Sequence, residues 1–143
     1  MTYSQLLIGA TTSNALKVVV EPGMGDGKHL CALSKDERNS NIHFIGIENN
    51  RTPYIEAAAR IITNNVVLIN DSFEIRIRDF ENETIDKVIM LLPDPEYIDR
   101  LYYDDWVAVY TNIFLKLKKL GTLEIVTEII DELLQPVSET AFH

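Results

Sequence analysis

The sequence predicts an α/β domain with a mostly parallel sheet ordered 3-2-1-4-5, and three observations carry that expectation. The first is the stretch 17–30, KVVVEPGMGDGKHL: three valines, an acid, glycines at 23, 25 and 27, then a helix-forming run. A strand that passes through a glycine loop into a helix N-terminus makes the ligand-binding corner of a doubly wound sheet. The second is a set of apolar runs, 42–48, 66–69, 85–92 and 122–127, separated by helical segments. Unalternating runs suit parallel strands buried on both faces, joined by right-handed crossovers. The third is one acidic residue after each of the first four strands: Glu21, Glu48, Asp71 and Asp94. Four carboxylates on one rim are costly unless a ligand uses them.

Each element has a local cause. Residues 1–14 read as a short helix (3–8) and a polar turn, and 16–21 as the first strand. A helix over about 26–35 turns Leu30 and Leu33 inward. Thr52 followed by Pro53 reads as an N-cap with proline at the first helical position. Ile55, Ala58, Ala59 and Ile62 then make one apolar face. Residues 73–83 are charged and ambiguous, either a short helix or an irregular crossover. From about residue 104, Trp106, Val109, Tyr110, Ile113, Phe114 and Leu117 recur at helical spacing. The lysines at 116, 118 and 119 and Gly121 are expected to stop that helix, with a fifth strand at 122–127 and a short last helix to about 135.

The 143 residues are 46% apolar and 24% charged, enough for one globular domain spanning 1–143. No apolar run reaches the ~20 residues needed to span a bilayer. Residues 1–14 lack a basic segment followed by a long apolar one, so a cytoplasmic, membrane-free protein is expected. A single cysteine, Cys31, excludes an internal disulfide and a multi-cysteine metal site. No histidine has metal-ligand spacing, and none is assigned a role. The net charge of −9 arises in residues 61–143, where sixteen acidic side chains face seven basic ones. That balance argues against strong nucleic-acid binding, which needs clustered Lys and Arg.

The register of the glycines narrows the ligand. A dinucleotide fingerprint needs glycine at position 28, where Lys28 stands. The pattern E-x-G-x-G-x-G instead resembles motif I of the class I S-adenosylmethionine (SAM) methyltransferases. EPGMGDG, FIGIE, NDS, LLPDP and LKKLGTLEIVTE follow that family's motifs I to V in order over roughly residues 16–130. GIE followed by LPDP is most similar to the tRNA (guanine-N7) methyltransferases. The resemblance implies a Rossmann-like class I methyltransferase fold and SAM as cofactor. It places Gly23, Gly25 and Gly27 against the methionine and ribose portions, and Glu21 near the amino group. It places Glu48, with Asn49 beside it, on the ribose hydroxyls, and Asp71 with the Ser72 backbone on the adenine edge. Leu92, Pro93 and Asp94 then border the methyl group, with Asp94 as the candidate catalytic base for an acceptor that must lose a proton. Between two prolines, Asp94 serves equally well to shape a turn.

The resemblance weakens after the PDP. There the tRNA enzymes carry a tryptophan and a basic run, whereas this chain has EYIDRLYYDDW. Little sequence follows the last helix, so the usual C-terminal strand pair is expected to be absent or reduced, as in a minimal or truncated domain. Two functions follow from these observations. One is a SAM-dependent methyltransferase with an open acceptor, RNA included. The other is a non-catalytic SAM-fold module acting as a binding subunit. An edge strand without its usual neighbours also suits a homodimer or heteromer.

Overall fold

The computed structural model describes residues 17–91, 93 and 100–127. Five strands form one sheet: β1 (Lys17–Pro22), β2 (Ile42–Ile47), β3 (Val66–Ile69), β4 (Ile85–Leu91) and β5 (Leu117–Val126). They lie in the order β3-β2-β1-β4-β5, and every pairing is parallel. The expected sheet order is therefore observed. Helices α1 (Lys28–Lys35), α2 (Arg51–Arg60), α3 (Phe73–Arg76) and α4 (Tyr103–Lys116) make the connections, with a 3₁₀ turn at Ile77–Asp79 continuing α3.

Alternate residues of each strand point to opposite faces, so a sheet covered on both sides needs apolar residues at every position. Val18, Val20, Ile45 and Ile47 pack on one face with Ile77, Phe80, Val109 and Ile113. Val19, Phe44 and Ile89 pack on the other with Leu30, Cys31, Ala57 and Ile61. Each large side chain so buried stabilises the fold by about 1.5–3 kcal/mol relative to exposure. The ambiguous stretch at 73–83 resolves into α3 and its turn because Ile77 and Phe80 anchor it in the first of these cores.

Two helices differ from expectation. α2 begins after Asn50, not Thr52, and it buries Ala57 and Ile61. The face expected inward is exposed, with Ile62 at 84%. The glycine loop decides this register: a methyl on Gly27 would meet Ala57 Cβ at 2.8 Å and Ile61 Cδ1 at 3.0 Å. Only a small residue on α2 allows that approach, and Ala57 supplies it. Helix α4 ends at Lys116, and the chain passes directly into β5, five residues earlier than expected. Leu117 pairs with Ile85, and the register slips so that Lys87 pairs with Thr122. Residues 118–121 therefore bulge opposite Asp86, and Gly121 sits within the strand instead of stopping the helix. Phe114, expected inward, is 77% exposed, because α4 packs through Val109 and Ile113. Trp106 lies edge-on between Tyr103 and Tyr110.

The expected helices at 3–8 and toward 135, the C-terminal stretch in which a strand pair is expected to be absent or reduced, and Leu92 and Asp94 lie outside the described residues. Among the described residues no helix is long and apolar enough to cross a membrane.

Candidate functional site

At the C-terminal end of β1 the chain makes three left-handed glycine steps, with φ of 62° at Gly23, 60° at Gly25 and 78° at Gly27. Side-chain-bearing residues resist this region, so glycine is needed at each step. The three serve different ends. At Gly23 and Gly25 a Cβ would meet nothing within 4 Å, so the backbone there faces open space. Gly27 instead caps α1 and lies against α2. Between them Met24 turns inward into a notch that Gly46 of β2 leaves beside Leu30. The loop is tied down by the Gly23 N–H, which donates to the Ile47 carbonyl at 2.7 Å.

Glu48, just past β2, joins this loop to the start of α2. The residue is 8% exposed. Oε1 accepts the Gly25 N–H at 2.9 Å, and Oε2 accepts the Asn50 N–H at 2.8 Å. Asn70, at the end of β3, donates its side-chain amide to the carbonyls of Glu48 (2.8 Å) and Asn49 (3.2 Å). The ends of three strands are thus stitched together through one carboxylate and one amide. Each carboxylate oxygen keeps a further lone pair for a ligand.

A cavity of about 470 Å³ opens beside this network, lined by Pro22, Gly23, Glu48, Asn49, Asp71, Ser72, Leu91 and Pro93, among others. That volume falls in the range of about 300–1,000 Å³ usual for small-molecule sites. Its position, outside the carboxyl ends of the strands and next to β1 where the strand order reverses, is where such sheets bind ligands. Asp71 closes one side. Its Oδ1 accepts the Ser72 N–H at 2.7 Å, and Oδ2 lies 3.2 Å from Arg76 Nε. The Ser72 backbone N–H, expected to face a ligand, is therefore taken by its neighbour.

Of the residues singled out from the sequence, Gly23, Glu48, Asn49, Asp71, Ser72 and Pro93 line the cavity. Gly25 is held through Glu48, and Gly27 packs helix on helix. Glu21 ends up beneath the loop, 2% exposed, its Oε1 in hydrogen-bonding contact with His29 Nδ1. Burial pushes the Glu21 carboxyl above its ordinary range, and the hydrogen bond and charge of His29 draw it partly back. His29 was not expected here, since an isolated histidine on a helix carries no spacing signal. Among the described residues no cluster of His, Cys, Asp or Glu is suited to a metal ion.

A parallel 3-2-1-4-5 sheet, with a glycine loop after β1 and an anchored acid after β2, is the architecture of the class I methyltransferases. Residues 15–142 match the family described as "Putative methyltransferase", and the chain belongs to that family. It is similar, at 28% identity over 107 residues, to a tRNA (guanine-N(7)-)-methyltransferase of Mesomycoplasma hyopneumoniae (strain J), covering 68% of this chain and 51% of that protein. The chain spans about half the length of the curated relatives of that name that it matches. Among solved structures, the aminoglycoside resistance methyltransferase NpmB1 aligns with a TM-score of 0.66 at 20% identity, over 97% of this chain and 71% of that one. A 16S rRNA (adenine(1408)-N(1))-methyltransferase from Catenulisporales acidiphilia aligns at 0.62 and 14% identity, over 94% and 69%. At such identities the structural likeness is one of fold.

Proposed function

We propose that this chain is a SAM-dependent methyltransferase domain whose cavity at the C-terminal rim holds the cofactor. The observation that carries the reading is Glu48, fixed by the glycine loop and by α2, facing a cavity of small-molecule size. A carboxylate held in this way suits a vicinal ribose diol, since it accepts both hydroxyl protons. Gly23 and Gly25 leave the backbone bare where an amino-acid tail would pass. Asn49, Asp71 and Ser72 offer polar groups for an adenine edge.

SAM supplies an electrophilic methyl on a sulfonium, and the protein's contribution is to align the acceptor with it and exclude water. An acceptor with a free lone pair, such as the guanine N7 named for the relative, needs no base. An amine or hydroxyl acceptor would, and Asp94 is the candidate for that role, with Leu92 and Pro93 bordering the transfer. Sixteen acidic against seven basic residues beyond position 60 favour a second reading, a SAM-binding subunit docked on a basic partner as a heteromer or beside a second copy.

Calorimetry with SAM and S-adenosylhomocysteine tests the shared part of both readings. Saturable binding of both ligands is expected, and no binding at high protein concentration would overturn it. Transfer of label from SAM to bulk tRNA, abolished by Asp94→Ala only where the acceptor needs a base, then separates enzyme from subunit.

A further inference from the structure

Lys118 and Lys119, expected from the sequence to stop α4, stand instead in the bulge of β5 that faces Asp86. Bulges re-aim the side chains they carry. Both lysines line a crevice of about 660 Å³ at the N-terminal end of the sheet, together with Lys17 of β1 and Lys87 of β4. Three strands thus bring together lysines that lie far apart in the sequence. The lining holds one acid, Asp86, and it is engaged. Its Oδ2 accepts the Val18 N–H at 2.8 Å and lies 3.0 Å from Lys118 Nζ. Lys87 pairs with Glu124 at 3.2 Å. Lys17 and Lys119 have no acidic partner among the described residues. The fold uses Asp86 and Lys118 to hold β5 against β1; it makes no such use of Lys17 or Lys119. In a chain with 22 acidic side chains against 13 basic, these two cations are left unpaired beside a third and a fourth. Val19 and Ile42 add apolar wall, and a cleft of one charge sign with such walls concentrates counter-ions.

We propose that this crevice is a second binding site, for phosphate groups in series, as in a free polyphosphate or a nucleic-acid backbone. Lys17 and Lys119 supply the free ammonium groups, compact charges suited to phosphate oxygens, and Lys118 and Lys87 add to the field. The net charge of −9 speaks against polyanions for the chain as a whole, but it does not describe this end of the sheet. The crevice shares no lining residue with the cavity assigned to SAM, so the two sites stand or fall separately.

The test titrates tripolyphosphate by calorimetry at low salt, where saturable binding to the wild type is expected. Lys17→Gln/Lys119→Gln should weaken it about tenfold, the scale of two exposed charge contacts. Lys28→Gln/Lys35→Gln removes the same charge from α1 and should leave the affinity within twofold. Urea midpoints of the crevice variant should not fall below the wild type, which reports that it is folded and that the lysines are not structural. No binding at millimolar tripolyphosphate, equal losses in the two double variants, or unchanged affinity in the crevice variant would each overturn the proposal. A single-stranded RNA of about ten nucleotides, within the footprint of a single-strand groove, separates the two sources. RNA that tripolyphosphate displaces, with a salt slope lowered by about 0.7 per lysine removed, supports the site with nucleic acid as its source. Tripolyphosphate binding without RNA binding supports it with a free polyphosphate. A wild type that binds tripolyphosphate and not SAM would overturn the SAM reading and leave this site standing.

Discussion

The sheet has a crevice at each end, and the larger one is not the candidate site. At the N-terminal end about 660 Å³ is enclosed by Lys17, Asp86, Lys87, Lys118 and Lys119, among others, against about 470 Å³ at the C-terminal rim. Each end holds a carboxylate that accepts a backbone N–H from a distant part of the chain. Asp86 takes the Val18 N–H at 2.8 Å, as Glu48 takes that of Gly25 at 2.9 Å. The difference lies in what else they touch. Asp86 also pairs with Lys118 Nζ at 3.0 Å, and Lys87 beside it pairs with Glu124 at 3.2 Å. Among the described residues Glu48 has backbone partners alone, which leaves its charge to a ligand. Volume does not mark a site; an oriented group whose charge the protein leaves uncompensated does.

The sharpest way to break this comparison is to remove the two carboxylates in turn. Glu48→Ala should weaken SAM by about 100-fold, through lost ribose contacts and a loosened loop, each hydrogen bond to a charged group being worth about 1.5–3 kcal/mol. Asp86→Ala should leave SAM affinity within twofold. It should still lower stability to urea by about 1–3 kcal/mol, because the Val18 N–H loses its partner. Equal effects on SAM would show that the two ends are not functionally distinct.

Within the C-terminal rim the glycines sharpen the same point. Gly27→Ala must adopt φ 78° and place a methyl 2.8 Å from Ala57 Cβ. Left-handed strain and overpacking together should cost about 2–4 kcal/mol in urea denaturation. Gly23→Ala bears only the strain, about 1–2 kcal/mol, since its Cβ meets nothing within 4 Å. That methyl should instead lower SAM affinity about tenfold, the scale of a lost close approach. One substitution would thus be read mainly in stability and the other mainly in binding.

The sheet order was legible because buried parallel strands leave long apolar runs and a loop such as 23–27 has few uses. Glu48 was legible for the same reason: an acid about 25 positions beyond the loop reaches it only across adjacent strands. What stayed hidden depended on three-dimensional contact. In the run from Ala57 to Ile62 several helical faces are equally apolar, and only the approach of Gly27 selects Ala57 and Ile61. Residues 117–121 look like a helix end because their lysines are compatible with one, whereas pairing of Leu117 with Ile85 draws them into the sheet. His29 was invisible for a related reason. Its partner lies across a loop whose left-handed turns bring the second residue of α1 beneath the end of β1.

The smallest expected effect concerns Glu21, whose buried carboxyl titrates above its ordinary value of 4.5 in the folded protein because burial disfavours its charge. In the unfolded chain it returns to that value. Between the two, the native state holds more protons than the unfolded one, so stability should fall as pH rises through that interval and level off above it. Glu21→Gln removes the titration and should abolish that part of the slope, leaving the variant more stable than the wild type at neutral pH. Urea midpoints measured from pH 4.5 to pH 8 for Glu21→Gln and His29→Ala/Glu21→Gln against wild type and His29→Ala check this, since the second pair removes the histidine that Glu21 contacts.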